Sequence, residues 1–171
     1  DYPTWQRQWR ELLVSAPAIS VEEVTDFPNA AQWEKADVAI FYQKGTWNDY
    51  RQAQIDAFLA RGKGLVYVHW AVNGDDRAAD LSERIGLASR GGYIRYRHGP
   101  LRLDLQQSSH PILRNLESLV LIDESYWGLT GQPERCTLLA TSREEGQATP
   151  QMWVYEQGKG RVFVSIPGHY S

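Results

Sequence analysis

A chain of 171 residues is long enough for one domain with a real core, and its 42% hydrophobic and 23% charged content is ordinary globular usage. A net charge of -3 without any basic run argues against a nucleic-acid partner, and no apolar stretch approaches the ~18 residues that a membrane span needs. Cys136 is the single cysteine, which excludes an intrachain disulfide and a CxxC metal knuckle.

In chain order, Thr4 can cap a first helix reaching Val14, with Trp5, Trp9, Leu12 and Leu13 on one face as a core stripe. Ile19 to Val24 is expected as a strand, Asn29 to Lys35 as a short helix, and Asp37 to Tyr42 as a buried strand. Thr46 or Asn48 caps the next helix, which turns Ile55, Phe58 and Leu59 inward and ends at Gly62. Leu65 to Val68 is short, apolar and largely β-branched, the pattern of a strand covered on both faces. A polar turn follows, then a helix from Asp75 or Asp76 to Gly86. This strand-helix rhythm predicts a mostly parallel sheet with helices on both faces.

After Gly86 the rhythm changes. Tyr93 to Tyr96 and Leu101 to Leu105 alternate like half-exposed strands, with Arg97-His98-Gly99-Pro100 as the turn of an added β-hairpin region. Leu119 to Ile122, Thr137 to Ala140, Met152 to Tyr155 and Val162 to Ile166 are further strands. The last two flank a hairpin signal at Glu156-Gln157-Gly158-Lys159-Gly160.

Three apolar strands end in residues that strand formation does not require: His69 after Val68, Asp123-Glu124 after Ile122, and His169 after Ile166-Pro167-Gly168. If these strands are parallel neighbours, their carboxyl ends meet at one rim, where open α/β sheets bind ligands. Two imidazoles and a carboxylate can shuttle protons between substrate hydroxyls and water, or hold a divalent metal ion. His69, Glu124 and His169 are therefore the candidate catalytic residues. Trp70, His98, Asp123 and Tyr126 are the candidate substrate contacts. The alternatives stay open: His69 as a packing or turn histidine, His98 as a solvated loop residue, Tyr126 as core, and Asp123-Glu124 as partners of loop backbone. Cys136 lies in an apolar stretch away from any strand-to-helix elbow, which argues against a cysteine-dependent glutaminase.

Several motifs occur in a familiar order: Gly62-Lys63-Gly64-Leu65-Val66 ending in His69, Gly91-Gly92 with a downstream His98-Gly99, and His110-Pro111. Asp123-Glu124-Ser125-Tyr126 and Gly158-Lys159-Gly160-Arg161-Val162-Phe163 ending in Gly168-His169 complete the set. Together they resemble the trehalose-utilisation ThuA-like family over nearly the whole chain. The resemblance implies an α/β, three-layer, flavodoxin-like sheet related to class I glutamine amidotransferase domains. It also implies a role in carbohydrate metabolism, on trehalose or a related keto-glycoside, as a lyase, hydrolase or isomerase. A non-catalytic sugar-binding or interaction module on the same fold is the alternative. The expected partner is a small sugar, with a homo-oligomer left open. Relative to the family, the first strand and the final helix are missing. Residues 1–171 are thus expected to be a single ThuA-like domain truncated at both ends, leaving cytoplasm and periplasm both open.

Overall fold

Two asparagines decide where two of the helices begin. The Asn29 side chain accepts the Gln32 amide while the Gln32 side chain accepts the Asn29 amide, so α2 (Ala30–Lys35) opens on a complete capping box. Asn48 accepts the Arg51 amide and opens α3 (Asp49–Ala60), and Gly62 closes it at φ 80° with its amide on Leu59 O. These features come from a computed structural model, which describes residues 2–106, 109–116 and 118–169. A first helix, α1 (Tyr2–Val14), precedes them, and α4 (Ala78–Ile85) follows a single 3-10 turn at Asp75–Arg77. Neither Asp75 nor Asp76 caps α4 through its side chain; the 3-10 turn fills that place.

Strands β1 (Val38–Phe41), β2 (Gly64–Val68), β4 (Arg95–Leu105), β5 (Leu119–Trp127), β7 (Thr137–Glu144), β8 (Gln147–Gln157) and β9 (Gly160–Ser165) form one sheet in the order β1-β2-β9-β8-β7-β4-β5. Two short strands, β3 (Leu87–Ala88) and β6 (Thr130–Gly131), pair separately. Only the β1–β2 and β2–β9 pairs are parallel; the rest of the sheet is antiparallel. The expected mostly parallel sheet is therefore mixed. The reason is connection length. Glu145-Gly146 and Gly158-Lys159 are two-residue links, and such links can join only antiparallel neighbours. Both residues of the first link have positive φ, as the favoured hairpin turn requires.

α2, α3 and α4 pack in one cluster with Leu65 and Tyr67 of β2, Trp153 and Tyr155 of β8, and Val162 and Val164 of β9. Phe58, Ile55 and Trp153 are fully buried there. On the edge strand β1, Ala39 and Phe41 join this cluster, while Val38 and Ile40 stay 53% and 39% exposed. Helical cover of β1 is thus one-sided, not the two-sided cover expected. A second, smaller cluster holds Leu101 and Leu103 of β4 with Ala140 of β7.

Three other expectations change. Leu12 is 64% exposed, and Trp5 and Trp9 are half-buried beside Tyr42, so α1 is not a core stripe. Ile19 to Val24 joins no sheet: Val21 and Val24 turn inward three apart with Glu22 and Glu23 exposed, which is not strand alternation. Arg97 to Pro100 is not a turn but the middle of an 11-residue strand. Pro100 is accommodated because this half of β4 pairs with β5 alone, β7 joining only at Asp104 and Leu105.

β4 carries β5 back over the sheet until its far end meets β8. There the buried Gln151 side chain donates from Nε2 to Tyr126 O at 2.9 Å and accepts the Tyr126 amide on Oε1 at 3.3 Å. Gln151 O in turn accepts the Ile166 amide at 2.8 Å. Cys136 sits elsewhere, against Gly86 at the end of α4, where an added Cβ on Gly86 would lie 2.5 Å from the sulfur.

Gln151→Leu keeps the volume but strands two buried backbone groups. It is expected to cost about 1–3 kcal/mol for each group left unpaired, read by urea denaturation. An unchanged midpoint would show that the amide does not hold β5. Burial pushes the Cys136 thiol up to about 11, so its alkylation should be slow at neutral pH and keep accelerating towards pH 11. A rate already saturated at pH 8 would contradict this.

Candidate active site

β2 and β9 run in parallel with Val68 opposite Ser165, so their chains leave the sheet side by side. His69 follows at once with φ 54°, a sharp strand-to-helix elbow that opens a 3-10 turn over His69–Val72. This is the shape of turn on which nucleophiles are displayed, but here it presents an imidazole. From β9 the chain passes through Ile166, Pro167 and Gly168 to His169. Gly168 is needed for space: a Cβ there would lie 2.6 Å from Val68 Cγ1.

The third contributor arrives differently from expectation. Asp123 and Glu124 do not follow a strand; they lie inside β5, which is antiparallel to β4. Glu124 and Tyr126, two apart, share one face of it. The curl of β5 still brings them to the ends of β2 and β9. His69 Nε2 and His169 Nδ1 are 3.0 Å apart. Glu124 Oε2 is 3.7 Å from His69 Nε2, and Glu124 Oε1 is 3.6 Å from His169 Nδ1. The Tyr126 hydroxyl is 3.2 Å from both His69 Nε2 and Glu124 Oε2.

Hydrogen bonding decides the tautomer of His69. Its Nδ1 is 3.0 Å from Ile166 O, and a carbonyl can only accept, so Nδ1 carries the proton and Nε2 presents its lone pair to the cluster. Burial is the largest influence on this imidazole and holds it below its usual pKa, although the Ile166 carbonyl and Glu124 pull the other way. His69 is thus a neutral, basic side chain at neutral pH. It is also only 8% exposed, more enclosed than a rim position suggests. Burial, followed by the Glu124 charge, raises the Tyr126 phenol, which stays a hydrogen-bond donor.

The Asp123 carboxylate, 4% exposed, accepts three backbone amides: Gly168 on Oδ2 at 3.1 Å, and His169 at 3.1 Å and Glu124 at 2.7 Å on Oδ1. Its oxygens hold the Gly168-His169 loop against β5. His98, exposed on β4, stands directly opposite Glu124 in the strand pairing, so the two share a face. Trp70 is 44% exposed and has Lys44 Nζ 5.9 Å from its ring centre. Beyond that lysine lies a groove of about 380 Å³ between the Lys44–Trp47 loop after β1 and the Gly74–Arg77 segment after β2, bridged by a Lys44–Asp75 ion pair of 2.8 Å. It opens at the same carboxyl end of the parallel strands as the histidines.

Three contributors were missed from the sequence. Tyr42 donates its hydroxyl to Gly168 O at 2.7 Å. The Trp5 ring lies 6.4 Å from that of His169. Gln151 links β5 to the Ile166 segment that orients His69. Gln151 alone left a sequence signal: a polar residue on the same strand face as Trp153 and Tyr155.

The trehalose utilisation (ThuA) family profile matches residues 7–171. Among solved structures, the ThuA-like protein of Parabacteroides merdae is 18% identical with a TM-score of 0.68, covering 81% of this chain and 62% of that one. A cytoplasmic protein of Salmonella typhimurium is 13% identical with a TM-score of 0.66, covering 95% and 74%. A β-galactosidase of Bacillus circulans is 14% identical with a TM-score of 0.61, covering 78% of this chain and 20% of that one. At such identities the likeness is of fold alone, and this chain spans 62% of the length of the Parabacteroides merdae protein. No curated protein matches the sequence. A family match over residues 7–171, on a fold shared with ThuA-like proteins, makes this chain a member of the trehalose utilisation (ThuA) family, with that family's association with carbohydrate metabolism.

Proposed function

We propose that this chain performs acid–base chemistry on an oxidised (keto) sugar, a keto-glycoside related to trehalose, at the His69–Glu124–His169 cluster. The observation that carries the reading is the Nδ1–H of His69 held by Ile166 O, which leaves a basic Nε2 facing a second imidazole, a carboxylate and a phenol.

A ketone acidifies the C–H beside it, and a lyase, an isomerase or an elimination-based hydrolase would begin by removing that proton. Neutral His69 is suited to take it on Nε2. Tyr126 is suited to donate a hydrogen bond to the oxygen that gains charge, and His169 with Glu124, both beside Nε2, to relay to the leaving oxygen the proton that His69 took. Asp123 is a positioning residue, keeping His169 in reach through its loop amides. His98, opposite Glu124, and Trp70, towards the Lys44 groove, are placed to contact the rest of the sugar.

The test is turnover of 3-keto-trehalose or a related keto-glycoside by the wild-type chain and by His69→Asn. Asparagine tolerates the positive φ of this position, so the elbow survives while the base is lost. Turnover should fall on the order of a hundredfold, the scale of a missing acid or base, with the unfolding midpoint nearly unchanged. Sugar binding without wild-type turnover would instead favour the non-catalytic binding module. An active His69→Asn variant would remove His69 from the chemistry.

A further inference from the structure

We infer that His69 Nε2, His169 Nδ1 and the Glu124 carboxylate form a binding site for one divalent transition-metal ion of the zinc class. The inference rests on the reading of this cluster as the reactive centre, but its evidence is separate from any sugar; with an ion bound, Nε2 is spent as a ligand and the base role passes to a water in an open position of the ion. The three ligand atoms lie within 4.8 Å of one another. The two nitrogens are 3.0 Å apart, and the carboxylate oxygens are 3.6 and 3.7 Å from them. Atoms bound to one ion at ~2.0–2.2 Å are themselves roughly 3–3.7 Å apart, so the donor atoms already have the spacing that an ion imposes. The carboxylate–imidazole distances are too long for hydrogen bonds.

The surroundings match the demands of ligation. A metal-binding imidazole usually donates its other N–H to a carbonyl or carboxylate, which fixes its tautomer and aims its lone pair. His69 does this through Nδ1 and Ile166 O. A ligating carboxylate is usually held by a further donor, here the Tyr126 hydroxyl on Glu124 Oε2 at 3.2 Å. Asp123 ties down the His169 backbone without spending a ligand atom on the ion. Two imidazoles and one carboxylate make a borderline-soft set that selects zinc, cobalt, iron or manganese ions over calcium or magnesium. Three protein ligands leave coordination positions for water or a sugar oxygen, as in catalytic rather than structural sites.

The experiment titrates chelator-treated, dialysed protein with Co²⁺, reading visible d–d absorption and, by calorimetry, stoichiometry. The expected result is one equivalent bound with bands of low-coordinate nitrogen–oxygen ligation, displaced by Zn²⁺, and a higher melting temperature. His169→Gln alters a ligand whose side chain is 36% exposed, so the fold should survive. That change and Glu124→Gln should each weaken binding at least tenfold, and Tyr126→Phe about tenfold. His110→Gln and Cys136→Ser, which alter other metal-seeking side chains, should leave affinity unchanged. No bands, or an affinity indifferent to His169→Gln and Glu124→Gln, would overturn the site. Metal binding without keto-glycoside turnover would sink the sugar reading alone. Full turnover by metal-free protein that also fails to bind Co²⁺ would sink the metal site alone.

Discussion

A side-chain amide carries the same donor and acceptor as a peptide group, and at Gln151 it serves β5 as a strand neighbour would. Both backbone groups of Tyr126 are satisfied by that one side chain, on the edge strand of the sheet, where β5 has a strand, β4, on one side only. From the same residue, Gln151 O holds the Ile166 amide, and Ile166 O holds His69 Nδ1. Phenol, carboxylate and imidazole are thus fixed relative to one another through a single residue of β8. Removing that link would not delete any of these three groups, yet each would lose its reference to the others.

Burying so many polar groups is tolerable because they satisfy one another. Asp123 accepts three amides, and Tyr126 reaches both Glu124 and His69. A neighbouring group is satisfied in the same way. Glu144, 3% exposed, takes Arg97 at 2.6 and 3.0 Å and Ser142 at 2.7 Å. Burial raises its carboxyl, but these bonds outweigh that and hold it below the usual range. The His69–Glu124–His169 cluster differs in having a basic nitrogen lone pair turned inward, where water is scarce and electrostatic interactions are strong.

Much of the architecture was legible from local chemistry. Asn29, Asn48, Gly62 and Gly86 mark helix ends by capping physics, and the final hairpin follows from its Gly-Lys-Gly link. The histidines stood out because nothing about strand formation calls for a polar residue directly after Val68 or after Ile166-Pro167-Gly168. Glu124 was grouped with them for a partly mistaken reason, since it lies within an antiparallel strand and reaches the histidines by curvature, which no period in the sequence encodes. The Arg97–Pro100 stretch misled because glycine and proline ordinarily punctuate strands, whereas here one side of β4 is unpaired. Tyr42 was invisible, and Gln151 showed only as a polar residue on a buried strand face, because the meaning of both lies in partners far along the chain.

The order of the strands also sets a timetable. β2 lies one strand in from the edge, between β1 and β9, and the residues that follow β2 and β9, His69 and His169, are 100 residues apart. At ~5–20 residues per second, a ribosome needs roughly 5–20 s to make that interval. Throughout it, β2 carries one edge of unpaired amides and carbonyls beside apolar side chains, the kind of edge that recruits foreign strands. The elbow at His69 is likewise unsupported until Ile166 emerges to hold it. The newborn chain is therefore exposed to misassociation throughout that interval, and the same β8–β9 hairpin that completes the pairing of β2 also completes the cluster.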